Sequence, residues 1–139
     1  EEGESVGGLV EAVLRLTQLM TQLDPRGGDA AAGAVLERLY SMRELLSVDQ
    51  RADVRLNLVT SLRSKAAMLP VVEKEADENT WTEKMGLLAS ADLYVRRCLE
   101  ESPNRTDLLD LRARLALERK RPRLAIESWQ SALAIEPED

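Results

Sequence analysis

At 139 residues, 44% apolar and 32% charged, the chain has the composition of a folded globular domain rather than a disordered one. It contains no His and one cysteine, Cys98. That excludes His-based acid/base chemistry, Ser/His or Cys/His nucleophiles, an internal disulfide and Cys-rich zinc sites. The net charge of −6 and a pI near 4.9 oppose nucleic-acid binding, and no run of about 18 apolar residues offers a membrane span.

Phe is absent and only two Trp and two Tyr are present, so the core must be built from Leu, Val, Ala and Met. Strand-like alternation is missing, and an all-α fold is expected. The chain begins Glu1-Glu2-Gly3-Glu4, without Met, as a processed or excised chain would.

Leu9, Val13, Leu16, Met20 and Leu23 mark the first amphipathic helix, stopped at Asp24-Pro25-Arg26-Gly27-Gly28. Asp29 can cap a second, with Val35, Leu39, Met42 and Leu46 as its stripe. Ser47-Val48-Asp49-Gln50 has the capping-box form and opens a third. There Ala52, Leu56, Val59, Leu62, Ala66 and Leu69 keep phase until Pro70. Residues 71–79 read as a polar loop or a short exposed helix.

Thr80-Trp81-Thr82-Glu83 repeats the capping-box form, and Trp81, Met85, Leu88, Ala91, Val95 and Leu99 follow in phase as far as Ser102-Pro103. Gly86 lies within this stripe without breaking it, and one Gly in a helix costs only about 1 kcal/mol. Two last helices are expected near 106–119 and 122–136. The single Cys98 keeps phase with the stripe and is expected to be a small buried residue.

Ala91, Leu99 and Pro103 recur at a spacing of 34 residues as Ala125, Leu133 and Pro137, with Val95 answered by Trp129 and Cys98 by Ala132. Residues 106–139 resemble one tetratricopeptide unit, whose period is about 34 residues. Ala113, Ala125 and Ala132 stand at its small positions, Trp129 at its large packing position and Pro137 at its terminal proline. The link Glu118-Arg119-Lys120-Arg121 lacks the family's Gly, and Leu111 is one place early. A weaker match covers 72–105, with Gly86 at the family's turn glycine.

The expected architecture is a single all-α domain. An antiparallel bundle of about four helices over 5–101 would be followed by a tetratricopeptide-like hairpin over 106–139. The alternative is a short tetratricopeptide-like solenoid. If the repeat reading holds, the face of the 122–136 helix is expected to be partly uncovered, to be protected by a partner or a further C-terminal segment, whereas a lone terminal hairpin would need no cap. The resemblance implies a protein-binding groove lined by Asp107, Asp110, Leu111, Arg114, Leu117 and Glu118. Asp110 stands where the chaperone-binding members' carboxylate clamp wants Lys, so that activity is not expected.

Charge is unevenly spread. Residues 96–123 hold nine basic groups against five acidic ones, on an otherwise acidic chain. The groove that the resemblance implies contributes Asp110, Arg114 and Glu118 as candidate partner-binding residues, and the basic stretch adds Arg112, Arg119, Lys120, Arg121 and Arg123. An exposed Asp110–Arg114 pair and a solvated helix–helix turn are the plainer readings of the same residues. Trp81 and Trp129 keep phase with the core, so packing is the expectation there as well. The acidic pairs Glu73/Asp77, Glu100/Glu101 and Glu136/Glu138 lie in polar segments with no phosphate-cradling Gly loop.

The expected function is a non-catalytic protein–protein interaction module whose partner has an acidic or carboxylate-bearing surface, with no cofactor or metal. The alternative is a helical-bundle accessory subunit packed permanently into a larger complex, organellar membrane complexes included.

Overall fold

The computed structural model describes residues 2–23, 27–70 and 77–136. It is all-α: six helices are present, with no strand among the described residues. They are α1 (Glu2–Leu23), α2 (Gly27–Ser41), α3 (Val48–Met68), α4 (Glu78–Glu101), α5 (Thr106–Glu118) and α6 (Pro122–Ile135). A 3-10 turn, Arg43–Leu45, separates α2 from α3. The chain divides into two compact units, Glu1–Ser61 and Leu62–Asp139.

In the first unit α1 packs on α2. α1 buries Val10, Leu14 and Thr17, whereas Leu9 and Leu16 of the expected stripe are 65% and 57% exposed. The helix carries apolar rows on two faces, and periodicity alone cannot choose between them. Val10, Leu14 and Thr17 also follow steps of four and three, and the Thr17 hydroxyl is satisfied by donating to the Leu14 carbonyl at 2.8 Å. α2 already contains Gly27 and Gly28, so Asp29 lies inside its first turn and not ahead of it. Its buried row is Gly33, Leu36 and Leu39, while Val35 and Met42 of the expected stripe face water.

The Ser47 capping box forms as read. Gln50 N–H donates to Ser47 Oγ at 3.2 Å, and Ser47 N–H donates to Gln50 Oε1 at 3.0 Å. Of the α3 stripe, Ala52, Val59 and Ala66 are buried and Leu56, Leu62 and Leu69 are half-buried. Burial extends further, to Val54, Arg55, Leu58 and Ser61. Arg55 enters this face with its guanidinium over the Tyr40 ring, 5.5 Å from the centroid.

In the second unit α5 contacts both α4 and α6. α4 starts at Glu78, two residues before the expected box. Its cap is Asp77, whose carboxylate accepts from Thr80 N–H at 3.1 Å and Thr80 Oγ1 at 2.8 Å. Of the polar stretch 71–79, residues 71–76 fall outside the described residues. α4 then runs unbroken through Gly86, where an added Cβ would meet nothing within 4 Å. Its buried residues are Leu88, Ala91, Asp92, Val95 and Cys98.

α5 buries Leu108 and Leu115 fully and packs against α6 with Ala113 and Ala116. Ala125 of α6 meets these two alanines, and Leu124 and Trp129 pack over the cluster. Three small side chains at the crossing let the two backbones approach closely. Pro122 opens α6 at its first turn, where a missing N–H costs nothing.

Candidate functional site

The nine cations that distinguish residues 96–123 in sequence do not form one basic face. Asp92, on α4, is 3% exposed and pairs with three of them, of which Arg112 and Arg119 turn inward while Arg96 stays half exposed. Its Oδ2 lies 3.3 Å from Arg96 Nε and 3.4 Å from Arg119 Nη1, and its Oδ1 lies 3.4 Å from Arg112 Nε. A lone carboxylate in this interior would be costly, and the guanidiniums offset that cost. Burial, then the neighbouring Arg121, holds the Arg119 pKa below its ordinary value, while Asp92 opposes that shift. Arg112 and Arg119, two of the candidate binding residues, thus tie α5 and its C-terminus to α4.

Three more candidates, Glu118, Arg114 and Asp110, are engaged nearer the surface. Glu118 accepts from Arg63, with Nη2–Oε1 at 2.5 Å and Nε–Oε2 at 3.4 Å. Arg114 Nε donates to Asp110 Oδ2 at 2.8 Å, the i,i+4 pair read from the sequence. Asp110 Oδ1 accepts from Trp129 Nε1 at 2.9 Å, so one carboxylate fixes the indole of α6 and the guanidinium of α5. The Trp129 hydrogen bond, followed by Arg114, keeps the Asp110 pKa below the usual carboxylate value. Asp107 is lowered in the same direction by its bidentate pair with Arg105.

Lys120, Arg121 and Arg123 are exposed at and just after the turn between α5 and α6. The turn is a Schellman motif: Arg121 N–H donates to Ala116 O at 2.8 Å and Lys120 N–H to Leu117 O at 3.0 Å. Lys120, at φ 61°, is the one non-Gly residue among those described with positive φ. A Lys therefore occupies the left-handed position that Gly normally fills, which places a cation at the apex of the turn.

The hairpin also keeps apolar side chains in water. Ile126 and Leu133, two turns apart on α6, are each 53% exposed, and Leu117 on α5 is 45% exposed. Beside Leu133 an open recess of about 350 Å³ is lined by Thr106, Asp110, Trp129, Ala132, Leu133 and Glu136. The uncovered face expected for the last helix is therefore present. In the first unit Leu9, Leu16 and Leu19 form a second exposed apolar row on α1.

Sequence reading had missed Asp92 and Arg63. Asp92 sits in phase with the buried residues of α4, and its distant partners follow 20 and 27 positions later, so no local pattern announces the cluster. Among the described residues no group of three or more His, Cys, Asp or Glu could hold a metal ion, and no helix is long and apolar enough to cross a membrane. No family model, curated protein or solved structure matches the chain.

Proposed function

We propose that this chain is a non-catalytic protein–protein interaction module that docks its partner on the α5/α6 hairpin, a tetratricopeptide-like unit in the sense of the sequence resemblance. The observation that carries this reading is the pairing of exposed apolar residues Leu117, Ile126 and Leu133 with the exposed cations Lys120, Arg121 and Arg123 on one small-residue-packed hairpin. Apolar side chains rimmed by charge are the usual composition of a docking patch. The partner is a protein with an acidic or carboxylate-bearing surface, met by the cations of the turn.

A second reading, a permanent accessory subunit, is favoured by the outward row Leu9, Leu16 and Leu19 on α1, whose opposite face is already buried. A helix apolar on both faces is normally covered on both.

Affinity isolation of the tagged chain from its native cell extract, at low and at high salt, separates the two readings. A partner released by salt, and lost when Lys120, Arg121 and Arg123 are all changed to Glu, supports the reversible module. A partner that survives both washes and ignores the triple substitution establishes the subunit. Failure to retain any partner under either condition removes both.

A further inference from the structure

One carboxylate does not match the positive charge gathered around it on α4 and α5. Arg96, Arg112 and Arg119 all pair with Asp92, and among the described residues none of the three pairs with a second carboxylate. The formal surplus is two positive charges. It is confined to side chains within 3.4 Å of Asp92 and adjoins the turn that begins at Lys120. After burial, it is the cations Arg121, Arg96 and Arg112 that hold the Arg119 pKa low, and Asp92 alone raises it.

The pairing is also loose. The three nitrogens lie 3.3 to 3.4 Å from the Asp92 oxygens, against about 2.7–2.9 Å for a well-made charge-assisted pair. Arg112 Nε and Asp92 Oδ1 are both buried, yet they form no hydrogen bond at 3.4 Å. Arg96 and Arg112 meet Asp92 through Nε, so each keeps its outer Nη edge for another acceptor. Water reaches that side, because the Arg96 side chain is 49% exposed and that of Arg112 is 27% exposed.

We propose that Arg96, Arg112 and Arg119 form a binding site for a phosphate dianion, which settles on the solvent side of the cluster opposite Asp92. Two negative charges offset the surplus, and a tetrahedral group can accept from several planar forks at once. A carboxylate brings one charge in one plane. Asp92 serves as the anchor that gathers the guanidiniums from α4, α5 and the end of α5. The phosphate belongs either to the free ion or to a phosphorylated side chain of a partner, both close to doubly charged above pH 7. A free phosphate would occupy this site whether or not a partner docks on the α5/α6 hairpin, so the module reading is not required.

The test is calorimetric titration of the full chain with inorganic phosphate at pH 7.5, at ionic strength held constant with sodium chloride. One saturable site is expected, with a Kd on the order of 1 mM, as a few charge-assisted hydrogen bonds supply. Arg96→Gln should weaken it about tenfold, the loss of roughly one such bond. Arg97→Gln removes the same charge one position away, from a side chain paired with Glu100, and should leave the affinity unchanged. Phosphate should also raise the melting midpoint of Asp92→Asn more than that of the parent chain, because the added anion replaces the one removed. General stabilisation by phosphate salts acts on both chains alike.

Absence of a saturable site in the parent chain overturns the proposal. Equal losses in Arg96→Gln and Arg97→Gln do so too, as they would show diffuse attraction to the basic stretch. An Asp92→Asn chain stabilised no more than the parent places any phosphate elsewhere and has the same force. Where the site is found, a short uncharged peptide with one phosphoserine identifies the source. Tighter binding than inorganic phosphate points to a phosphorylated partner, and equal or weaker binding to the free ion.

Discussion

Two single residues carry unusual loads in the second unit. Lys120 holds a left-handed backbone that costs a non-Gly residue about 1–2 kcal/mol. Lys120→Gly should therefore raise unfolding stability by about 1 kcal/mol, measured by chemical denaturation, and should weaken partner binding. A stability loss would mean the Lys side chain contributes more than the strain it causes. Asp92→Ala leaves Arg96, Arg112 and Arg119 facing one another without their anion. Its expected cost is about 3 kcal/mol, comparable to breaking a buried ion pair by removing one partner. Unchanged stability would show that water satisfies the arginines as well as Asp92 does.

Asp110 adds a pH dependence at the same scale. Its folded pKa is lowered, so the stabilisation from Trp129 and Arg114 is present above the unfolded carboxylate pKa and lost as pH falls through the folded value. Trp129 emission in the Trp81→Phe chain should consequently change below about pH 4. Asp110→Asn should remove most of that transition. Persistence of the full transition in this variant would assign it to other carboxylates.

At the scale of the element, α4 illustrates both what sequence shows and what it conceals. Its unbroken apolar phase from Trp81 to Leu99 correctly carried the helix through Gly86. Because an added Cβ there meets nothing within 4 Å, Gly86→Ala should stabilise the chain by about 1 kcal/mol in a denaturant titration. A destabilised variant would imply that the helix must bend at that point. The cap was misread because Asp77 and Thr80 both belong to capping-type patterns, and only the backbone shows which residue is non-helical.

α1 was legible as a helix but not in orientation. Leu9/Leu16 and Val10/Leu14 are rows of equal apolar quality, and the packing of α2 decides between them. Of the candidate site, the exposed Lys120–Arg121–Arg123 turn and the Asp110–Arg114 pair could be read locally. The inward turn of Arg112 and Arg119 could not, since it depends on an anion in another helix.

For the molecule as a whole, exposed apolar rows on both units are the features that composition could not supply. Replacing Ile126 and Leu133 by Gln should leave helicity unchanged, because both side chains are half in water and Gln is a good helix former. Partner capture should fall sharply under the module reading. Replacing Leu9 and Leu16 by Gln should abolish it instead under the subunit reading. Circular dichroism with a pull-down of each double variant distinguishes the outcomes.

The cluster around Asp92 has a kinetic corollary. Much of the cationic excess in residues 96–123 is matched at short range by carboxylates, so an approaching molecule meets a positive feature hardly wider than the turn from Lys120 to Arg123. A source that small is screened within about 8 Å at physiological salt. Encounter should proceed near the unsteered rate of about 10⁵–10⁶ M⁻¹s⁻¹ and vary little with ionic strength. Salt should act chiefly by shortening the lifetime of the complex once its ion pairs have formed.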